Sequence, residues 1–436
     1  MPLSTYLKIF PDRKHPGHFI LFSTKRASCI AVPEELLRRV ADNTLTPDEA
    51  EILTRLGFLV ADLHSEQEEM RGYIDDMNRV RRSASLTVIL NLSCNLDCVY
   101  CFEGGLKGAR FMAPETAERV VRMVEDDYLG RGKDVKVAFY GGEPLLSLDL
   151  IRSMSQRLRA GAEQRGGAYS FMLVTNGTLL TRAVVDELIP LGLTGAKVTL
   201  DGPRENHDRF RPLAGGGGSF DLIVENIRGV CDRIKVQLGG NYSRDNYHLF
   251  PRLLDELLGQ GVTPDRLALV KFDPIARTAG EFVPPEFTEG CCSTSEPWLA
   301  EAAVFLREEI LRRGFATPRT LPGFCTVELD GDLTITWDGR LYKCPAFIGF
   351  PELAVGTLDT GRSDGAESHA IGHWKNDRCL GCAYLPLCFG GCRLLRLAEQ
   401  GKVDGVDCIR DYLDSTLESF VRQDLMFLRG NGVKKT

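Results

Sequence analysis

Three cysteines crowd one short stretch, Leu92-Ser93-Cys94-Asn95-Leu96-Asp97-Cys98-Val99-Tyr100-Cys101-Phe102, in a CxxxCxxC spacing. Three thiolates on a single loop suit three irons of a four-iron cubane, because such clusters take soft sulfur ligands. The fourth iron then has no protein ligand and stays open to a substrate or cofactor. Ferredoxin-type electron carriers normally supply four cysteines per cluster, so the absent fourth is informative. Two alternatives remain: a zinc knuckle, which wants four ligands and usually CxxC pairs, and three unrelated thiols.

The rest of the chain sharpens this. It holds fourteen cysteines in 436 residues, and ten of them stand in motif spacings. Met1-Pro2-Leu3-Ser4-Thr5-Tyr6-Leu7-Lys8 lacks the basic then apolar pattern of a secretion signal, so free thiols in a reducing cytoplasm are expected rather than disulfides. No apolar run approaches the length that spans a bilayer, and no membrane partner is expected. A net charge of -7 argues against a dedicated nucleic-acid binder, which would be basic. Hydrophobic and charged contents of 43% and 26% are those of a globular protein, and the length predicts two or three domains.

Residues 1–62 read as a small α+β unit. β-rich runs at 6–10, 19–23 and 27–32 precede helical stretches at 33–42 and 47–57, the second with Thr46 as N-cap and Gly57 as stop. A charged connecting helix follows at 63–83. From Ser85 strands alternate with amphipathic helices, which predicts βα units and a parallel sheet. Strands are expected at 86–92, 135–140, 170–175, 196–200, 235–241 and 266–272, with helices at 114–129, 149–165, 181–191, 220–232 and 246–259. Six units are too few for a closed eight-stranded barrel.

The strand ends carry polar motifs. Tyr140-Gly141-Gly142-Glu143-Pro144 follows the second strand, where glycines let backbone approach a ligand and its carbonyls can accept from an ammonium group. Val174-Thr175-Asn176-Gly177-Thr178 follows the third and offers hydroxyl and amide groups to a ribose or carboxylate. Thr199-Leu200-Asp201-Gly202-Pro203 follows the fourth, then His207-Asp208 and Arg211; Asn241 ends the fifth. The Gly-rich run 214–219 lacks the Lys-Ser/Thr ending of a phosphate loop and reads as a flexible connection. Further on come Cys325, Cys344 in Gly339-Arg340-Leu341-Tyr342-Lys343-Cys344, Cys379-Leu380-Gly381-Cys382, Cys388, Cys392 and Cys408. Two structural zinc ribbons are the alternative there, without paired histidines. Cys29 and Cys231 sit in apolar runs as small core residues.

Cys94, Cys98 and Cys101, with Tyr100 before the last, resemble the signature loop of the radical S-adenosylmethionine (radical SAM) superfamily, and the distal cysteines resemble its SPASM domain. The resemblance implies a partial (β/α)6 TIM-like barrel at 84–315 and a SPASM domain with tail at 316–436. Residues 1–83 are then similar to the winged-helix-like element that binds precursor peptides by strand addition; the alternative is an extension that only packs on the barrel. It implies S-adenosylmethionine (SAM) on the open iron and a 5′-deoxyadenosyl radical that takes hydrogen from a ribosomally made peptide with a leader. Flavodoxin or ferredoxin would supply electrons.

By that match the cofactor contacts are Tyr100, Gly141, Gly142, Glu143, Pro144, Thr175, Asn176, Thr199, Asp201, Arg211 and Asn241, with Arg211 forking onto the carboxylate. The family usually has serine where Thr199 stands, and His207 is a structural partner rather than a base. Three [4Fe-4S] clusters are implied: one on Cys94, Cys98 and Cys101, an outer auxiliary one on Cys379, Cys382, Cys388 and Cys408, and an inner one on Cys325, Cys344 and Cys392. The inner cluster either keeps an open iron or gains Cys291 or Cys292. The implied product is a cross-link, a thioether first and a carbon–carbon bond second. A sulfatase-maturing enzyme is the rival, although that group typically carries aspartate where Pro345 stands. A non-catalytic iron–sulfur or zinc scaffold is the rival outside enzymes. The catalytic base is not named by any motif.

Overall fold

The computed structural model describes residues 1–101, 103–276, 291, 293 and 295–427. Strands β1 (Leu7–Pro11), β2 (His18–Ser23) and β3 (Cys29–Pro33) form an antiparallel sheet in that order, followed by helices α1 (Glu34–Ala41) and α2 (Pro47–Arg55). Helix α2 starts on a capping box: the Thr46 hydroxyl accepts from Glu49 N at 3.3 Å, and Glu49 returns a carboxylate oxygen to Thr46 N at 3.0 Å. Helix α3 (Leu63–Val80) is more than a charged connector. Its stripe of Met70 and Ile74 is buried with Tyr6, Trp374, Leu380, Leu385 and Phe389, which ties the N-terminal unit to the cysteine-rich end of the chain.

Six parallel strands follow: β4 (Ser83–Ile89), β5 (Asp134–Tyr140), β6 (Tyr169–Thr175), β7 (Leu193–Thr199), β8 (Lys235–Tyr242) and β9 (Leu269–Pro274). They stand side by side in chain order and do not close. Crossing over between them are α4 (Pro114–Asp127), α5 (Leu148–Gln164), α6 (Arg182–Leu188), α7 (Arg204–Phe210), α8 (Phe220–Val230) and α9 (Phe250–Gly259). Side chains alternate across a strand. Leu86, Val88, Val137, Phe139, Leu173, Ala196, Val198, Val236, Leu238 and Val270 therefore face these helices and build the main core. The intervening residues face the other way, and Tyr140, Val174, Lys197, Thr199, Asn241 and Pro274 all line one cavity, so the sheet is curved around it.

The first barrel strand lies three residues earlier than its apolar pattern suggests, because beyond Ile89 the chain turns to another segment: Leu90 O accepts from Met112 N and Leu92 N donates to Arg110 O. Helix α7, on the short His-Asp segment, was not expected. Beyond α10 (Pro297–Arg312), strand β10 (Leu333–Ile335) pairs in parallel with β4, and β11 (Arg340–Tyr342), β12 (Gly356–Thr357) and β13 (Gly361–Arg362) continue the sheet antiparallel. Ten strands thus form one sheet. Four helices finish the chain: α11 (Asp377–Leu380), α12 (Leu385–Cys388), α13 (Arg393–Gln400) and α14 (Arg410–Phe427). Helix α14 is held to α10 by the buried Arg307, whose guanidinium meets Gln423 Oε1 at 3.0 Å and Asp424 at 2.5 Å. Among the described residues no helix is long and apolar enough to cross a membrane.

Candidate active site

The segment entering the cysteine loop is zipped to the Gly-Gly turn after β5. Gly142 N donates to Asn91 O at 3.0 Å and Glu143 N to Ser93 O at 2.8 Å. There is no room for a side chain: a Cβ on Gly142 would lie 2.2 Å from Ser93 O, and one on Gly141, whose φ is +153°, 2.5 Å from Asn91 O. The two glycines let two backbones touch, and that contact fixes where Cys94 begins. Glu143 is wholly buried and does not line the cavity. Its carboxylate accepts from Thr175 Oγ1 at 2.8 Å, Asn176 N at 2.8 Å and Leu145 N at 3.1 Å, clamping the ends of β5 and β6 together. Burial raises its pKa against those donors.

Tyr100 ties the loop to the far strands. Its hydroxyl donates to Asp201 and accepts from Arg211 Nη1 at 2.9 Å and Asn241 Nδ2 at 2.9 Å. Asp201, completely buried, also accepts from Asn241 N at 2.7 Å. Burial raises the Asp201 carboxyl above the usual range, while Arg211 and the Tyr100 bond pull it back. Arg211 keeps its Nε buried and without a hydrogen-bond partner. A buried, unsatisfied guanidinium N–H on a cavity wall is a docking point for an anion.

His207 braces this arrangement. Asp201 N donates to its Nδ1 at 3.1 Å, so Nε2 carries the proton and donates to Ser219 Oγ at 2.9 Å; Ser219 Oγ in turn donates to Arg211 O at 2.7 Å. Burial, reinforced by Arg211, holds the imidazole well below its usual 6.5 and keeps it neutral. The unfolded chain takes up that proton below about pH 6.5, so the stability His207 contributes is whole above that pH and falls below it. One proton corresponds to about 1.4 kcal/mol per pH unit. His207→Asn, which keeps an acceptor but does not titrate, is expected to flatten the denaturation midpoint of the chain between pH 6.5 and 5.5 by that share. An unchanged pH dependence removes His207 from this role.

The cavity itself measures about 430 Å³. Of the expected contacts, Tyr100, Gly141, Gly142, Thr175, Asn176, Thr199, Arg211 and Asn241 line it together with Cys94, Cys98 and Cys101. Glu143, Pro144 and Asp201 stand behind its wall, all buried. Residues not among the expected contacts also line it, including Glu103, Lys107, Tyr140, Lys197, Ile275, Pro345, Ala346 and Leu394. Glu103 and Lys197 had a faint signal, one just past the last loop cysteine and the other two residues before Thr199 on the same strand face. Glu103 is 2% exposed with Oε1 unpartnered, and burial pushes its carboxyl up to about 8 against the pull of Lys107. Burial likewise pushes the Cys101 thiol up to about 12 and raises Cys94.

The distal cysteines fall into two groups. Cys379, Cys382, Cys388 and Cys408 line one small apolar cavity with Tyr384, Leu385 and Leu413. Cys325, Cys344 and Cys392 lie within electrostatic reach of one another. Their region closes the main cavity, since Pro345 and Ala346 follow Cys344 and Leu394 follows Cys392. Cys291 is bridged to Ala276, with its N donating to Ile275 O at 2.8 Å, and both of those residues line the main cavity; Cys292 lies outside the described residues. The ten cysteines of the loop and of these two groups form no disulfide. Among the described residues no three His, Cys, Asp or Glu side chains converge on a single-ion site.

Residues 88–258 match the model of the radical SAM superfamily. The chain carries a radical SAM domain. That domain resembles Fe-coproporphyrin III synthase of Methanosarcina barkeri, at 32% identity over 39% of this chain and 40% of the relative. The chain spans about half the length of the first curated relatives it matches, from 40% to 53%. A longer likeness, at 24% identity over 74% of this chain and 85% of the relative, is to PqqA peptide cyclase of Rhodopseudomonas palustris. Among solved structures, native anSMEcpe with bound AdoMet and Kp18Cys peptide superposes with a TM-score of 0.62 at 17% identity, covering 80% of this chain and 98% of that one. Streptococcus suis SuiB bound to precursor peptide SuiA gives 0.53 at 14% identity, covering 93% and 98%. These structures share the α/β fold of this chain.

Proposed function

We propose that the chain is a radical SAM peptide maturase that forms a cross-link, a thioether first and a carbon–carbon bond second, in a ribosomally made precursor. One observation carries the reading: a single cavity has the Cys94, Cys98 and Cys101 loop on one wall and the Cys344 and Cys392 region on another. The residues fit an iron–sulfur cluster with SAM, since three thiols share the wall with the orphaned Arg211 Nε. When bound, a reduced cluster and SAM supply a 5′-deoxyadenosyl radical that abstracts hydrogen. Arg211 would hold the cofactor carboxylate, while Tyr100 and Asp201 keep that guanidinium in place. Thr175, Asn176, Thr199 and Asn241 offer polar contacts, and Glu143 holds the strand ends at the spacing the cofactor needs. Apolar Ile275, Pro345, Ala346 and Leu394 exclude water from the reacting carbon.

In this reading Cys379, Cys382, Cys388 and Cys408 hold an outer auxiliary cluster, and Cys325, Cys344 and Cys392 an inner one that either keeps an open iron or gains Cys291 or Cys292. Residues 1–83 recognise the leader, 84–315 carry the radical chemistry and 316–436 the auxiliary sites. A peptide substrate is supported by the peptide cyclase relative and by the peptide-bound structures of the same fold. The protein would work in the cytoplasm with flavodoxin or ferredoxin as donor. Sulfatase maturation is disfavoured by Pro345, which puts no carboxylate at that point of the wall. Co-expression with any small leader-bearing peptide encoded near the gene, followed by mass spectrometry, tests this: each bond removes two hydrogens and blocks fragmentation across the ring. An unchanged mass from a cluster-loaded enzyme that cleaves SAM overturns cross-linking, and an aldehyde that reacts with hydrazide in place of a ring points to formylglycine.

A further inference from the structure

Lys197 lines the cavity from the middle of β7, two residues below Thr199 and on the same face. Its neighbours in register are Val174 on β6, also a lining residue, and Gln237 on β8. The stem lies across Gly239: a Cβ there would sit 3.2 Å from Lys197 Cε, so the glycine leaves the lysine its path. Other lining cations have partners. Arg211 meets Tyr100 and Asp201, and Lys107 reaches Leu96 O at 3.1 Å and Asp97 at 3.2 Å. Lys271, on the next strand but one, is paired with Asp273 at 2.6 Å. Lys197 has no hydrogen bond or ion pair among the described residues, and Glu103 is the one carboxylate lining the cavity among them.

A half-buried ammonium facing a largely apolar space calls for an anion that the protein does not provide. We infer that Lys197 binds a carboxylate of the substrate, an aspartate or glutamate side chain next to the residue that loses hydrogen; this rests on the peptide-maturase reading. The chemistry favours a single carboxylate over a phosphate, because Lys197 is a lone point charge without an arginine fork or a backbone nest beside it. Arg211, at the strand ends beside the cysteine loop, is left for the cofactor. Lys197 lines the same cavity two residues before the end of β7.

Two measurements test the inference. The first needs no precursor: the anaerobically loaded protein with SAM is acetylated under limiting reagent, and labelling of Lys197 is read by mass spectrometry with Lys271 as internal reference. N-acetylglutamate N-methylamide is expected to slow labelling of Lys197 roughly fivefold, and N-acetylglutamine N-methylamide not at all. Equal effects of the two probes, or full protection by SAM alone, overturn the inference. The second uses the co-expressed peptide with each Asp and Glu changed to its amide. One such change is expected to raise KM about tenfold with little effect on kcat, Lys197→Gln to do the same, and the two together to be no worse than either. Additive losses overturn it. Protection by the acidic probe without any peptide product keeps the carboxylate site and sinks the peptide reading instead, so the two failures are distinguishable.

Discussion

Replacing Cys94, Cys98 and Cys101 together by alanine is expected to abolish reductive cleavage of SAM and to remove about four iron atoms per chain while leaving the fold intact. The loop is not what holds the barrel together. Its three thiols are intermediate in exposure, whereas the strands it follows are buried on their helix faces and paired on both sides. Burial raises Cys94 and Cys101 and keeps them as neutral thiols near pH 7 when no cluster is bound, so alanine removes no charge there and the thermal midpoint of the cluster-free protein should hold. The measurement pairs an anaerobic iron and sulfide count with 5′-deoxyadenosine formation under dithionite. If the triple variant keeps its full iron content and still forms 5′-deoxyadenosine, the assignment of this loop falls. Iron that remains after the triple change reports the distal thiol groups separately.

The second large effect is expected from a single methyl group. Gly142→Ala places a carbon 2.2 Å from Ser93 O and 2.6 Å from its carbonyl carbon, and both obstacles are backbone. Neither can rotate away, as a side chain would. The turn and the segment entering Cys94 must separate, breaking Gly142 N to Asn91 O and Glu143 N to Ser93 O. Overpacking of this kind costs about 1–3 kcal/mol. Because the displaced segment leads straight to the first loop cysteine, cofactor cleavage should fall by on the order of 100-fold, as misplacement of about an ångström does. Gly215→Ala is the control: a Cβ there meets nothing within 4 Å, so stability should stay within about 0.5 kcal/mol. Thermal melts and 5′-deoxyadenosine yields on the two variants decide it. Equal behaviour would mean that the turn yields more readily than its contacts imply.

Much of this architecture is legible in the sequence because parallel strands and amphipathic helices leave strong, different periodicities. The expected strands at 135–140 and 170–175 coincide with β5 and β6 to within a residue. The glycines after β5 were legible as a close approach but not its partner: a ligand was expected, and the neighbouring backbone is what touches them. Sequence cannot show which surface a glycine meets when that surface lies fifty residues away. Lys197 was hidden for a related reason. In a strand covered on one face by helices and facing a cavity on the other, a single polar residue is read as noise in an apolar run. Strands β10 to β13 were invisible because two or three residues carry no period; they exist through pairing with β4. Glu103 shows no local signal beyond its nearness to Cys101, since its significance lies in burial.

The pairing of β10 with β4 has a mechanical consequence. The strand that delivers the cysteine loop is flanked by barrel on one side and by the Cys344-bearing hairpin on the other. The thiol groups at the two ends of the cavity are thus mounted on a common ladder, with successive strands about 4.8 Å apart. Changing their separation along that ladder means shearing its hydrogen bonds. Cleaving the chain near residue 316 would therefore strip β4 of a neighbour and leave the loop on an open edge, prone to pairing with another molecule. The ladder thus acts as a ruler that sets the distance a substrate has to bridge.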